Sequence, residues 1–269
     1  MEAFHSFWSK PNKNRNDGKI VMEDYEILVM VLSALEWKKH NGRIRMVTDS
    51  DGAKYFREKG LYDVWDEVDT TLDRMDASTD PFLFWAAGKL MALKYSRLPL
   101  VMLDTDLIIW KNLDLLLEGK TLMTAHAEPL HSDVYPARTH FKLKDGYTFD
   151  ENWDWATPAS NTAFLYIASE ELRDSYVSQA ERFFANVCLD GLNPVTAMCF
   201  AEQRILPMEA KALGYRMAYL LEFDKMNEQS LATHLWGAKQ YLKEHPAQQS
   251  AFCERCLKRI KEDFGDEIW

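Results

Sequence analysis

Residues 99–106 read Pro-Leu-Val-Met-Leu-Asp-Thr-Asp. Four consecutive apolar side chains cannot alternate between a wet and a dry face. A strand made of them is covered on both sides, as a central strand is in a parallel or mixed sheet layered by helices. The run ends on two carboxylates one residue apart. Open α/β sheets bind ligands outside the carboxyl ends of their strands, so Asp104 and Asp106 stand where a site is expected. Two carboxylates this close repel each other unless a cation lies between them. Hard divalent ions take oxygen ligands and leave coordination positions for phosphate oxygens, so the pair suits a metal-diphosphate site. The plainer alternative is an acidic turn in which one carboxylate caps a helix.

Around that run the chain alternates short β-rich stretches with longer helical ones, which favours an α/β sheet with covering helices. A first strand is expected at 3–8, followed by a polar loop at 10–19 in which Lys10, Lys13, Arg15 and Lys19 face only Asp17. That loop is either solvated or an attractor for an anionic acceptor. Residues 24–40 are apolar over most of their length and free of Gly and Pro, so they predict a buried helix stopped by Asn41-Gly42. A second strand at 43–48 breaks at Asp49-Ser50-Asp51-Gly52, and 53–59 predict a short helix closed by Gly60. Asp80-Pro81 supplies an N-cap and a first-turn proline for a helix to about Arg97. Strands are expected again at 121–126 and 163–168. Between them, 128–161 is irregular, with a hairpin predicted around Asp145-Gly146. Residues 237–264 read as helix, broken near Pro246.

The chain's 269 residues are 47% apolar, enough for a substantial core and against disorder, and one α/β domain over 1–269 with appended segments accounts for the length. A net charge of −10 argues against a general nucleic-acid binder, which needs a clustered basic face. Residues 1–11 lack the basic and long apolar regions of a signal peptide, and no stretch approaches 18 uncharged apolar residues, so a cytoplasmic location is expected. Cys188, Cys199, Cys253 and Cys256 are too few for a disulfide scaffold. The lone Cys253-x-x-Cys256 pair has neither a second pair nor a neighbouring strand to suggest metal or redox work.

Residues 88–93 (Gly-Lys-Leu-Met-Ala-Leu) and 99–114 resemble the helix, strand and DxD turn of GT-A glycosyltransferases. The rest of that family's ordered pattern is also present: Lys89 on the helix, Asp104 and Asp106, Asn161-Thr162-Ala163, Glu202-Gln203, and His234-Leu-Trp-Gly237. The resemblance spans about residues 3–240 and is closest in arrangement to the retaining, glycogenin and galactosyltransferase-like members. It implies a single Rossmann-like GT-A domain whose central, mixed but mostly parallel sheet is flanked by helices. An aromatic hairpin insertion at 128–161 would lie on the acceptor side, with a helical segment at 238–269. It further implies Mn²⁺ or Mg²⁺, a nucleotide-sugar donor such as a UDP-sugar, and a glycan or lipid-linked hydroxyl acceptor in surface glycan synthesis. Such an acceptor would bring peripheral contact with a membrane.

Carried onto this sequence, the resemblance implies that Asp106 binds the metal directly, Asp104 the metal or the ribose, and His234 the metal from a late loop. Neutral imidazole is a common metal ligand, and Gly237 lets backbone approach a phosphate, although a lone histidine also fits a packing role. The family's His-x-x-Gly-x-x-Lys spacing would put lysine at 240, which is Gln240; Lys239 comes one residue early. Lys89 would stand near the sugar or diphosphate, offsetting charge on the leaving group. Ser6, Trp8, Thr48 and Asp49, at the ends of the first two strands, would surround base and ribose, with Trp8 as a stacking face. Asn161, Glu202 and Gln203 would face the donor sugar and acceptor. In an inverting enzyme Glu202 or Asp154 would instead be the base.

Tyr135, His140, Phe141, Tyr147, Phe149, Trp153 and Trp155 concentrate in the irregular segment. Flat rings suit sugar faces, so this segment is expected to bind the acceptor, the alternative being a small core of its own. Two other functions compete. A haloacid dehalogenase-type phosphohydrolase also uses Asp-x-Asp after a strand, but near its N-terminus and followed by Thr or Val where this chain has Ile108. A sugar-nucleotide-binding protein of the same fold would bind without turnover.

Overall fold

The computed structural model describes residues 1–223, 228 and 230–265. β1 (Ala3–Phe7) leads through α1 (Ser9–Arg15) into α2 (Asp24–His40), whose start is closed by a reciprocal capping box between Glu23 and Glu26. Asn41 ends α2, and Gly42 follows at φ 110°, a left-handed value that glycine adopts without strain. Next come β2 (Ile44–Thr48), α3 (Ser50–Glu58), β3 (Glu67–Asp69), α4 (Ala87–Lys94), β4 (Leu100–Leu103), β5 (Leu107–Ile109) and α5 (Asp114–Leu117). β6 (Leu122–Glu128) and β7 (Ala159–Ile167) precede the long α6 (Glu170–Asn186), then α7 (Pro194–Cys199) and α8 (Ile205–Ala212). The chain closes with β8 (Ala218–Tyr219), β9 (Ala232–His234), α9 (Ala238–Glu244) and α10 (Pro246–Phe264).

Among the described residues the main sheet runs β3-β2-β1-β4-β7-β6-β8, so the apolar run at 100–103 forms its middle strand. β1–β2, β2–β3, β1–β4 and β6–β8 pair in parallel, and only the pairs made by β7 are antiparallel, giving the mixed, mostly parallel sheet that was expected. All four residues of β4 are buried, and their alternation divides the core. Val101 and Leu103 face a cluster with α2 and α10, while Leu100 and Met102 face one with α4, α6 and α8. β5 leaves the main sheet to pair antiparallel with β9, placing Leu107 opposite His234. No described helix is long and apolar enough to cross a membrane.

Four local expectations fail, three of them for a tertiary reason. Residues 9–15 are helical rather than loop, because the Asp49 carboxylate accepts from both the Ser9 amide (2.9 Å) and its hydroxyl (2.8 Å), a cap supplied from β2 and invisible in local sequence. The next helix begins at Ser50, three residues early, with Asp49 also accepting from the Gly52 amide. Asp80 accepts from the Phe82 and Leu83 amides, but the following residues stay in irregular turns and regular helix starts only at Ala87. There Phe84 drops against Phe183 and Phe184, and the Ala86 amide turns to the Met198 sulfur.

The hairpin around Asp145-Gly146 does not form either. Backbone at 142–144 bonds to 186–188 at the end of α6 instead; Phe141, Phe149 and Trp153 bury their rings against Phe183 and Phe200, and Tyr147 packs on Phe149. These four rings build a small core, the alternative weighed for this segment, while His140 stays exposed.

Candidate active site

Asp104 and Asp106 hang from the carboxyl end of the central strand. The Asp104 amide donates to the Ala163 carbonyl (2.7 Å) and the Leu107 amide to the Asp104 carbonyl (3.1 Å), so a tight turn throws both side chains to one side. The β5–β9 ribbon then returns His234 across some 130 residues to the same place, with the Leu235 amide bonded to the Asp106 carbonyl (3.0 Å). One ligand atom each from Asp104, Asp106 and His234 lies within 4.8 Å of the others. Two carboxylate oxygens and an imidazole nitrogen on buried backbone are a donor set that fits Mn²⁺ or Mg²⁺ with positions left over.

Charge compensation in the cluster comes from two lysines. Lys239 Nζ is 2.8 Å from Asp106 Oδ2, and His234 Nε2 is 3.6 Å from the same oxygen. Burial pushes the Asp106 carboxyl up, but the His234 and Lys239 partners outweigh it and hold the group well below the usual carboxylate range. Lys239 thus faces the Asp106 carboxylate, although it is one residue out of the family's register. Lys89 Nζ lies 2.5 Å from Asp104 Oδ1, as an ion pair outside hydrogen-bond alignment, and donates to Glu202 Oε1 at 2.7 Å. Burial alone would lower the Lys89 ammonium's pKa; the two carboxylates raise it instead. Gly88 makes this reach possible, since a Cβ there would come within 2.8 Å of Trp8 Cβ and push α4 away from β1.

Glu202 and Gln203 sit where α7 widens into a π-helical turn at Phe200–Arg204 before α8 resumes. Such turns are rare and concentrate at functional sites, because one extra residue swings side chains off the regular helix face. Thr162 Oγ1 donates to Glu202 Oε1 (2.7 Å), the Tyr176 hydroxyl donates to the Glu202 carbonyl (2.7 Å), and the buried Arg204 guanidinium holds the Trp155 and Thr157 carbonyls. Gln203 Oε1 is 2.5 Å from the Tyr135 hydroxyl, which is also 2.5 Å from Glu128 Oε2. Asn161 Nδ2 donates to Glu128 Oε1 at 2.8 Å. Tyr135 has one proton for two acceptors, and burial next to Glu128 raises its pKa, so it stays protonated. The charged carboxylate makes the stronger acceptor. Gln203 is then best satisfied with its amide turned to donate to the Tyr135 oxygen, leaving its carbonyl free.

Lys89, Asp104, Asp106, Glu202, His234 and Lys239 therefore lie together, and Asn161 and Gln203, their chain neighbours Thr162 and Glu202 bonded to each other, are linked through Glu128 and Tyr135. Gly237 opens α9 with empty space where a Cβ would lie. The base-side residues fare differently. Trp8 is only 8% exposed, and Thr48 is fully buried with its hydroxyl on the Phe7 carbonyl (2.6 Å). Asp49 spends both oxygens on capping α1 and α3, so Thr48 and Asp49 build the wall. Ser6 and Trp8 both line the cleft of about 210 Å³ that contains Asp104, Asp106, Lys89 and Lys239.

Sequence reasoning missed Glu128 and Trp85, and placed Arg15 only in a loop that is either solvated or an attractor for an anionic acceptor. Glu128 shares a strand face with His126, two residues before it, and its signal was a carboxylate at a strand's carboxyl end. Arg15 and Trp85 both line the cleft, the first because its segment is a helix and the second because its segment is not.

Fold and site together define a mixed α/β protein with a candidate metal centre at the carboxyl edge of its central strand. The chain belongs to DUF6734, a family of unknown function whose model matches residues 1–261. No curated protein matches it in sequence. Among solved structures it is similar to the galactosyltransferase LgtC bound to donor and acceptor sugar analogues, with 12% identity and a TM-score of 0.43 over 81% of this chain and 73% of that one. Mouse xyloside xylosyltransferase 1 gives 11% identity and a TM-score of 0.43 over 82% and 85% of the two chains. The inositol-1-phosphate CTP transferase of T. maritima gives 12% and 0.40, over 82% and 85%.

Proposed function

We propose that this protein is a metal-dependent glycosyltransferase of the GT-A type, moving a sugar from a nucleotide diphosphate, in the first instance a UDP-sugar, to a hydroxyl acceptor. The convergence of Asp104, Asp106 and His234 within 4.8 Å at the end of the central strand carries this reading. Two residues of the β4–β5 turn and one from β9 meet there, with Lys89 and Lys239 alongside, as the neutralisation of a diphosphate requires. Mn²⁺ or Mg²⁺ held by Asp104, Asp106 and His234 would supply positive charge to the departing diphosphate.

The chain's own residues do the remainder. Lys89 is fixed by two carboxylates and presents a charge that needs no reorganisation when the leaving group forms. Lys239 stands at the start of α9 beside open backbone at Gly237, where phosphate oxygens can approach. Gln203, with its carbonyl freed by the Tyr135–Glu128 pair, would offer a neutral oxygen to a positively charged anomeric centre, which suits a retaining reaction. Glu202 is tied to Lys89 and Thr162, so it orients the site and is a poor general base. A cytoplasmic enzyme extending a surface glycan is the setting this reading favours. The test is release of nucleoside diphosphate from a panel of UDP-, GDP- and CDP-sugars with and without Mn²⁺. Metal-dependent release from one donor class supports the proposal, and metal-independent phosphate release from an aryl phosphate overturns it in favour of a phosphohydrolase.

A further inference from the structure

We propose that Arg15 and Trp85, which both line the cleft, make the contacts with a nucleoside diphosphate that the inward-committed Thr48 and Asp49 do not. Trp85 supplies a stacking face for the base and Arg15 a guanidinium for the phosphates. The assignment rests on the reading of the cleft as a nucleotide-sugar site and names the residues that recognise the nucleotide there.

Trp85 is the exposed indole of the cleft. Its neighbours Phe84 and Ala86 are buried and pin the backbone, yet its own side chain stays 41% exposed along the cleft wall, whereas Trp8 is 8% exposed. A large ring held rigidly in the open at a concave site loses little entropy on meeting a flat ligand. Arg15 owes its place to α1. The Asp49 cap at Ser9, the Lys13–Asp51 ion pair and the reciprocal bonds between Asn12 and the Val21 backbone hold this helix at both ends. Helical spacing then turns Pro11, Asn12 and Arg15 to the cleft and Lys10, Lys13 and Asn14 to the neighbouring depression. Of the three cleft cations, Lys89 and Lys239 are each committed to carboxylates; Arg15 alone has no ion-pair partner among the described residues. An incoming diphosphate would find in it a cation that need not first leave a carboxylate, with a planar fork suited to phosphate oxygens.

The experiment is calorimetric titration of UDP, GDP and CDP, each with Mn²⁺, into the full chain and its Arg15→Met, Trp85→Ala and Trp85→Phe variants, with indole fluorescence followed in parallel. For the nucleotide that binds best, Trp85→Ala should weaken binding about tenfold or more, as loss of one base stack does. Trp85→Phe should restore most of the affinity while abolishing the fluorescence quench. Arg15→Met should weaken binding and flatten its salt dependence. Melting temperatures without nucleotide should be unchanged, since both side chains are exposed. Binding by the wild type with all three variants unaffected overturns this assignment alone. Failure of the wild type to bind any of the three overturns both the assignment and the function it rests on.

Discussion

Lys89 carries more of the site than its single charge suggests. It is the only described side chain within ion-pair distance of both Asp104 and Glu202, and all three are largely buried. Lys89→Met leaves two buried carboxylates uncompensated, which costs about 3–5 kcal/mol in the metal-free protein. Denaturant unfolding should show that loss, with partial recovery on adding Mn²⁺ if the metal replaces the missing charge at Asp104. At Asp106 the opposite arrangement holds, because Lys239 is half-exposed and competes with a metal for the carboxylate. Lys239→Met should therefore tighten Mn²⁺ binding in the absence of nucleotide, measured by calorimetry; weaker or unchanged binding would contradict the competition. Tyr135→Phe removes the oxygen that accepts from the Gln203 amide, so donor turnover should fall with donor binding little changed, read as kcat against KM.

Among the elements, β1 shows how the sheet and the site are tied. The Trp65 indole donates to His5 Nδ1 (3.2 Å), His5 Nε2 therefore donates to Ser33 Oγ (3.1 Å), and the Ser33 hydroxyl donates to the Leu107 carbonyl (2.5 Å) beside Asp106. Every polar atom in that chain is satisfied with a neutral ring. Burial lowers the His5 pKa from 6.5 to about 3, against a smaller upward pull from Asp106. The unfolded chain takes up that proton more readily, so the stability this histidine contributes is present above pH 6.5 and lost as pH falls from 6.5 towards 3. Between pH 7.5 and 5 the loss should be about 2 kcal/mol by chemical denaturation. A His5→Gln variant should show a flatter profile over that range, and an equally steep one would assign the loss elsewhere.

The elements that could be read from sequence were those whose signals are local. α2 matches its expected bounds because its capping acids and Asn41-Gly42 stop lie within or beside the helix. β4 was legible because four buried residues in a row admit few other structures. α1 was not, since its cap arrives from β2. The irregular turns after Asp80 and the aromatic core at 141–155 likewise depend on α6, far along the chain. In the site, the spaced motifs named Asp104, Asp106, Lys89 and His234, whereas Glu128 and Trp85 carry no motif and gain meaning only from what folds beside them.

At the scale of the whole molecule, a net charge of −10 and the proposed diphosphate ligand are reconciled by placement. Three cationic side chains line the cleft, two of them already paired with the carboxylates proposed to hold metal, so bound metal would free positive charge for phosphate. The two cores, one on each face of the sheet, hold the β4 end and the π-helical turn at fixed distance, and the C-terminal α10 packs on α2 to complete one of them. Metal and nucleotide should accordingly bind to a largely formed site and with mutual reinforcement. The most direct measurement is calorimetric titration of Mn²⁺ into the wild type and the Asp106→Asn variant, each with and without saturating UDP. The account predicts that UDP tightens Mn²⁺ binding to the wild type and that Asp106→Asn abolishes Mn²⁺ binding while the protein stays folded. Equal Mn²⁺ binding by the two proteins would contradict it.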